Sequence, residues 1–430
     1  MLSNRLALFL DARGIHYGWL VAAATFLTML ATAGAMGSVG VLIQPLEQEF
    51  GWTTAEISSA LAIRLVFFGL FAPFAAAFMN RFGVRPVVIT ALAMIAGGIL
   101  LSFGMTALWQ MMLIWGVVVG IGTGMTALVL GATVASRWFS KRRGLVVGLL
   151  TASNATGQLI FLPLLASLSE TVGWRGALAL VVVMLAVAAV LVLLLMRDRP
   201  ADVGLPPYGA TAVAPSPARG TLASLVVSPL VALRDAARTP VFWVLFSTFF
   251  ICGFSTNGLI QTHWVSMCGD IGITAVAAAG LLALIGMFDL VGTIGSGWLS
   301  DRFDNRWLLF WFYGLRGLSL VYLPFSGYSL PALGLFAVFY GLDWVATVPP
   351  TVKLVAEQFG AERAGLVFGW VFTGHQLGAA AAAYLSGAAR TEFDTYLPAL
   401  LAAGVLCLVA ALLVLTVTSK PEPRPLERTA

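Results

Sequence analysis

The chain has 430 residues, of which 60% are apolar and only 10% charged, and its mean hydropathy is +0.94. A water-soluble domain carries about 25% charged residues, so a soluble enzyme or soluble binding module is excluded and an integral membrane protein is indicated. The net charge of +5, from 24 Lys and Arg against 19 Asp and Glu, then bears on membrane orientation, and no nucleic-acid partner is expected.

A helix needs about 20 mostly apolar residues to cross the hydrocarbon core. Twelve such runs occur, at 17–42, 54–78, 86–106, 109–135, 144–167, 174–196, 240–266, 273–299, 307–326, 330–353, 365–388 and 395–418. They predict an all-α membrane protein of twelve transmembrane helices. The alternating pattern of barrel strands is absent. The first run starts too late and is too long for a cleaved leader, so no leader is expected.

Placing both ends in the cytoplasm puts 20 of the 24 cations in inside segments. Only Arg175 and Arg390 fall outside, while Arg64 and Arg316 lie within runs. That asymmetry is a positive-inside signal and predicts a multi-pass protein of the cell inner (plasma) membrane. The segment 197–239 carries Pro200, Pro206, Pro207, Pro215, Pro217 and Pro229 and reads as a mobile cytoplasmic linker. It separates an N-terminal six-helix bundle, 1–196, from a C-terminal one, 240–418. Residues 419–430 read as a disordered tail.

The two halves repeat. At an offset of 221, Arg81, Phe82 and Arg85 fall on Arg302, Phe303 and Arg306. At the same offset Gly144, Leu145, Val146 and Gly148 fall on Gly365, Leu366, Val367 and Gly369. A duplicated six-helix unit is a transporter signature.

On these residues the chain resembles the major facilitator superfamily over nearly its whole length. The loop motif of that family, G-x-x-x-D-R-x-G-x-R, is matched in part by Asn80, Arg81, Gly83 and Arg85, with Asn80 in place of Asp. Its second copy is matched by Gly297, Asp301, Arg302 and Arg306, with Asp304 in place of Gly. The resemblance implies two pseudo-symmetric six-helix bundles and a cytoplasmic gate at these loops. A narrower resemblance, to monocarboxylate porters, rests on Tyr17-Gly18-Trp19 and on Phe139, Lys141, Arg142, Arg143, Leu145, Gly148, Ala152 and Gly157.

Ionisable residues inside the hydrocarbon are costly and mark function. Arg64, Asp289, Arg316, Asp343 and His375 fall near mid-depth of their runs, with Asn154 on the symmetry mate of His375. The monocarboxylate resemblance implies an Asp in the eighth helix with an Arg four residues on. Asp289 takes the first position, but Thr293 stands at the second, and Gly37 and Ser38 occupy the stretch of the expected first-helix lysine. Arg64 is the substitute cation, since guanidinium fits a carboxylate bidentately. Asp289 and Asp343 are the candidate proton carriers, His375 an alternative. Arg316 is expected in a structural ion pair with one of the two acids.

Asn154, Gln158, Asn257, Gln261 and Gln376 are read as cavity-lining or as interhelical glue. Tyr340 and Trp344, four apart, form either a substrate wall or a packing stripe, and His263 and Trp264 an outer gate or an interfacial belt. Pro349-Pro350 must bend the tenth helix. Cys252, Cys268 and Cys407, without C-x-x-C spacing, are read as small buried hydrophobes. No Walker A loop or H-E-x-x-H spacing occurs, so no cofactor or metal is expected.

The sequence thus predicts a monomeric, non-enzymatic secondary transporter whose partners are a small solute, protons and the lipid bilayer. Symport or exchange of a monocarboxylate-like anion is the first reading. Proton-coupled efflux of amphipathic or cationic compounds is the alternative, and a membrane enzyme or sensor is the reading from another class.

Overall fold

The structure, a computed structural model, describes residues 2–126, 128–211 and 222–417. Among them ten helical stretches are long and apolar enough to cross a bilayer. The helix Arg143–Leu195 runs on through Gly173, whose φ of 78° and ψ of 165° are not helical. That glycine divides it into a fifth span, 143–172, and a sixth, 174–195. Ala361–Phe393 forms the eleventh, which makes twelve spans among the described residues.

Several helices outrun their apolar stretch. The first, Tyr17–Phe50, has 34 residues, about 51 Å at 1.5 Å per residue against a hydrocarbon core of about 30 Å. Its last turns carry Gln44, Glu47, Gln48 and Glu49. It stops at Gly51, whose φ of 68° lies in the left-handed region that favours glycine, and the Gly51 N–H closes on the Glu47 carbonyl. Thr53 and Glu56 then form a capping box that starts the second span, Thr54–Phe82. The three residues 51–53 thus cap both helix ends they join.

Each half has its own core. Tyr17, Trp115, Trp138 and Trp174 centre the first, and Phe242, Phe249, Trp264 and Tyr313 the second. Val41, Leu162 and Ala166 of the first half join the second core. A third cluster packs Leu65 and Phe68 of the second span on Ala379, Ala380 and Ala383 of the eleventh. Small residues at this seam let the two backbones approach.

The described parts of 197–239 make defined contacts with both halves. Tyr208 takes the Ser140 and Lys141 N–H groups on its carbonyl at 3.0 and 3.1 Å and donates its own N–H to Trp138 O at 2.8 Å. Leu222–Ala236 is a helix held by Trp370, whose indole N–H donates to Pro229 O at 2.8 Å. Burial of Leu225 and Ala236 gives that helix the apolar contact a free linker lacks. Residues 212–221 of the linker and the tail 419–430 lie outside the described residues.

Candidate functional site

Three spans build the site, and two of them depart from regular α-helix. The seventh, Pro240–Asp270, turns π-helical over Phe254–Gln261. The extra residue per turn re-aims Asn257 and Gln261, and both line a cavity of about 680 Å³ between the two halves. The tenth breaks between Leu330–Asp343 and Val348–Phe359. The eighth, Ala275–Ser300, brings Asp289 and Thr293 to the same cavity.

The break in the tenth span follows from Pro349-Pro350. Neither proline has an N–H to give to Val345 O or Ala346 O four residues back. Val348 N–H takes Val345 O instead, at 2.9 Å, and the Ser296 hydroxyl donates to Ala346 O. Arg316, of the ninth span Asn305–Phe325, reaches the carbonyls above the break. Its Nη2 donates to Asp343 O at 2.6 Å and Trp344 O at 3.1 Å, and its Nε to Asp343 Oδ2 at 2.6 Å. Arg316 Nη1 adds Cys252 Sγ at 3.0 Å. Asp343 is therefore held in an ion pair away from solvent.

Asp289 differs. Its Oδ1 accepts from Thr293 Oγ1 at 2.9 Å and from Val345 N–H at 3.0 Å. No Lys, Arg or His lies within ion-pair distance of it among the described residues. Its carboxylate thus grips the broken segment of the tenth span from the cavity wall.

Arg64 is buried, and Nη1 donates to Met36 O at 3.3 Å. It stands one residue behind the wall formed by Met36 and has no carboxylate partner among the described residues. His375 lines the cavity with its ring parallel to Phe372 at 5.7 Å, and its Nδ1 meets no hydrogen-bond partner. Trp344 also lines the cavity, but Tyr340 does not. Its hydroxyl donates to Ser255 O at 2.6 Å, which corrects its reading as a solute contact and makes it a packing residue. His263 and Trp264 are likewise buried and bonded to backbone, at Ala383 O and Ala278 O. The side chains of Asn154 and Gln158 lie outside the described residues.

Sequence reasoning passed over Cys252. It is buried as expected, yet its sulfur meets Arg316 and Thr347 and lines the cavity. Its partners lie more than 60 residues away, so no local pattern announces them.

Comparison with known proteins agrees with this architecture. The family model described as Major Facilitator Superfamily matches residues 22–383 and 264–430. The chain belongs to the Major Facilitator Superfamily. It is 28% identical over 407 residues to monocarboxylate transporter 13 of Rattus norvegicus, covering 93% of this chain and 89% of that one. It is 26% identical over 382 residues to the uncharacterized MFS-type transporter YcxA of Bacillus subtilis (strain 168), covering 86% and 87%. Among solved structures, a D-xylose–proton symporter superposes with a TM-score of 0.71 at 15% identity, covering 94% of this chain and 98% of that one. A bacterial homologue of the human lysosomal transporter Spinster, inward-facing and unoccupied, gives 0.71 at 14% identity, covering 93% and 96%. These two likenesses bear on the fold alone. The protein is a multi-pass membrane transporter of this superfamily.

The facilitator is closed on the face away from its termini. There the Ala55 N–H donates to Thr391 Oγ1 at 3.1 Å across the halves. A Cβ on Gly40 would fall 2.8 Å from Gln261 O, and one on Gly387 would collide with Ser58. The two cations of that face are neutralised, Arg175 by Glu49 at 2.6 Å and Arg390 by Asp270 at 2.7 Å. The cavity instead extends along Leu145–Ala152, Asp289–Gly297 and Trp344–Pro349, toward the ends of those spans that lie on the terminal face. Gly387→Val is expected to prevent closure opposite the termini. Transport should fall at least tenfold, and a cysteine placed at Thr32 should become labelled by an impermeant maleimide from that face.

Among the described residues, the loop motifs of the facilitator bond within their own halves or to the start of the linker. Asn80 Oδ1 accepts from Arg137 Nη2 at 2.7 Å. Gly83 has φ 96°, and its missing Cβ leaves room for the Asp198 carboxylate, which accepts the Arg85 N–H at 2.9 Å. Arg81 lies over the Phe82 ring, and Arg302 over Trp298. Asp301 pairs with Lys353 at 3.3 Å. Arg306 pairs with Asp304 at 2.5 Å and holds that carboxyl below the usual carboxylate range. No bond joins these residues to the opposite half among the described residues, in keeping with an open terminal face.

Proposed function

We propose that this facilitator is a proton symporter for a small, monocarboxylate-like organic anion, working by alternating access. The observation that carries the reading is Asp289, a cavity carboxylate without a cationic partner that also holds the break of a cavity-lining helix. An anion and a proton cross together as a neutral load. Protonation of Asp289 removes the charge that resists closure of a drying cavity. The relatives named as monocarboxylate transporters support the substrate class.

Arg64 supplies the cation for the anion. It reaches the solute when Met36 gives way as the halves rock, since its guanidinium has no other charge to answer. Arg64→Ala is expected to weaken carboxylate uptake about ten- to hundredfold, the worth of a charged hydrogen-bond pair, with partial recovery in Arg64→Lys. Uptake at the wild-type level in proteoliposomes made with Arg64→Ala would remove Arg64 from the site.

A second reading, proton-coupled efflux of amphipathic cations, draws on the same unpaired Asp289 and on the aromatic wall of Phe249, Phe372 and Trp344. It predicts that Arg64→Ala leaves transport intact. In either case the halves 1–196 and 240–418 rock about the linker as a monomer. The sequence assigns 20 of 24 cations to the segments on the side of the termini, and on that ground we take that face as the cytoplasmic one of an inner membrane and the cavity as inward-open.

A further inference from the structure

Gln376 is a polar part of the cavity wall to which this transport reading gives no role. It lies beside His375 on the eleventh span, is 1% exposed and lines the cavity, and neither Oε1 nor Nε2 has a hydrogen-bond partner. Buried amides are nearly always paired, so a donor and an acceptor held unpaired side by side call for a partner. The neighbourhood does not supply one. A Cβ on Gly69 would fall 2.6 Å from Gln376 Cβ and 3.2 Å from Cγ, so the stem is clamped between the second and eleventh spans. The Gly69 carbonyl accepts from Thr373 Oγ1 at 3.0 Å and not from Gln376. The same cavity is lined by Phe249, Phe372, Trp344 and Met36, which offer rings and apolar surface to a solute.

We propose that Gln376 selects the solute by pairing edge-on with a group that presents one donor and one acceptor side by side, carried on a flat apolar body. A carboxamide, a lactam or a protonated carboxyl has that edge. An ester offers acceptors alone, and an ionised carboxylate sets an oxygen against Oε1. The proposal rests on the transport reading for its setting but not on the solute being ionised. Gln376 lies outside the ion pair and the gate, so its removal leaves the coupling machinery in place.

The test uses the full chain with three probes, phenylacetamide, phenylacetic acid and methyl phenylacetate. Binding is measured by calorimetry and entry by flux into proteoliposomes. The amide is expected to bind at least tenfold more tightly than the ester. Phenylacetic acid should bind more tightly at pH 4.5 than at pH 7. Gln376→Met, which keeps the stem, should bring amide and ester to equal affinity. It should also melt no lower than wild type without solute, because it removes an unpaired amide from the interior. Equal binding of amide and ester by the wild type, an unchanged ratio in Gln376→Met, failure of the amide to bind, or a marked loss of stability in that variant would each overturn the proposal. Binding that depends on Gln376 without flux of any probe would uphold the recognition edge and sink the transport reading. Flux of phenylacetate that Arg64→Ala abolishes and Gln376→Met leaves unchanged would do the reverse.

Discussion

Asp289→Asn is expected to give a folded protein that exchanges solute across the membrane but no longer accumulates it against a pH gradient. The fold survives because Asn keeps an Oδ1 that can accept from Thr293 Oγ1 and from the Val345 N–H, the two bonds Asp289 makes now. Coupling is lost because the carboxamide cannot take up and release a proton. At one-to-one coupling each pH unit supports about a tenfold concentration ratio, or roughly 1.4 kcal/mol. The variant should bring that ratio to about one while counterflow of labelled against unlabelled solute continues. The pH dependence has a definite sign. Symport by the wild type should speed up as the outer pH falls and the carrier protonates before closure, whereas the variant should transport at a rate flat in pH. Full accumulation by Asp289→Asn in proteoliposomes would transfer the proton to another group. His375, with its unpaired Nδ1, would then be the next to substitute.

The number of spans was legible because hydropathy runs respond to a single solvent property, and the loop cations report orientation independently. The internal offset of 221 then tied the two halves together. What escaped the sequence depends on contacts far apart in the chain. Pro349-Pro350 forecast a disturbed tenth helix, but not that the break would be satisfied from the eighth and ninth spans by Ser296 and Arg316. The π segment that turns Asn257 and Gln261 to the cavity has no residue signature at all. Tyr340 and Trp344 do share a helix face, with rings 5.5 Å apart, but the turn that begins at Trp344 sends only the second to the cavity. Arg64 and Arg316 looked alike as single cations in apolar runs. Only the fold separates them, one with a carboxylate and two carbonyls, the other with a single carbonyl.

That contrast sets the largest expected effect on stability. Arg316→Met should destabilise the protein by about 3–5 kcal/mol, the usual result of stripping one partner from a buried ion pair. The side chains of Arg316 and Asp343 are 0% and 8% exposed, so water cannot answer for the lost partner. The damage extends past the pair. The carbonyls of Asp343 and Trp344, whose regular helical donors would be the N–H groups of Thr347 and Val348 in the broken turn, would lose their Arg316 donor. Asp343→Asn is therefore expected to be milder, since Asn can still accept from Nε and both carbonyls stay covered. The double variant Arg316→Met with Asp343→Leu removes the uncompensated charge and should regain part of the loss. It should still melt below Asp343→Asn, because the two carbonyls remain without a donor. Melting temperatures of the purified variants give this order directly. An Arg316→Met protein as stable as wild type would show that the break in the tenth span stands without Arg316.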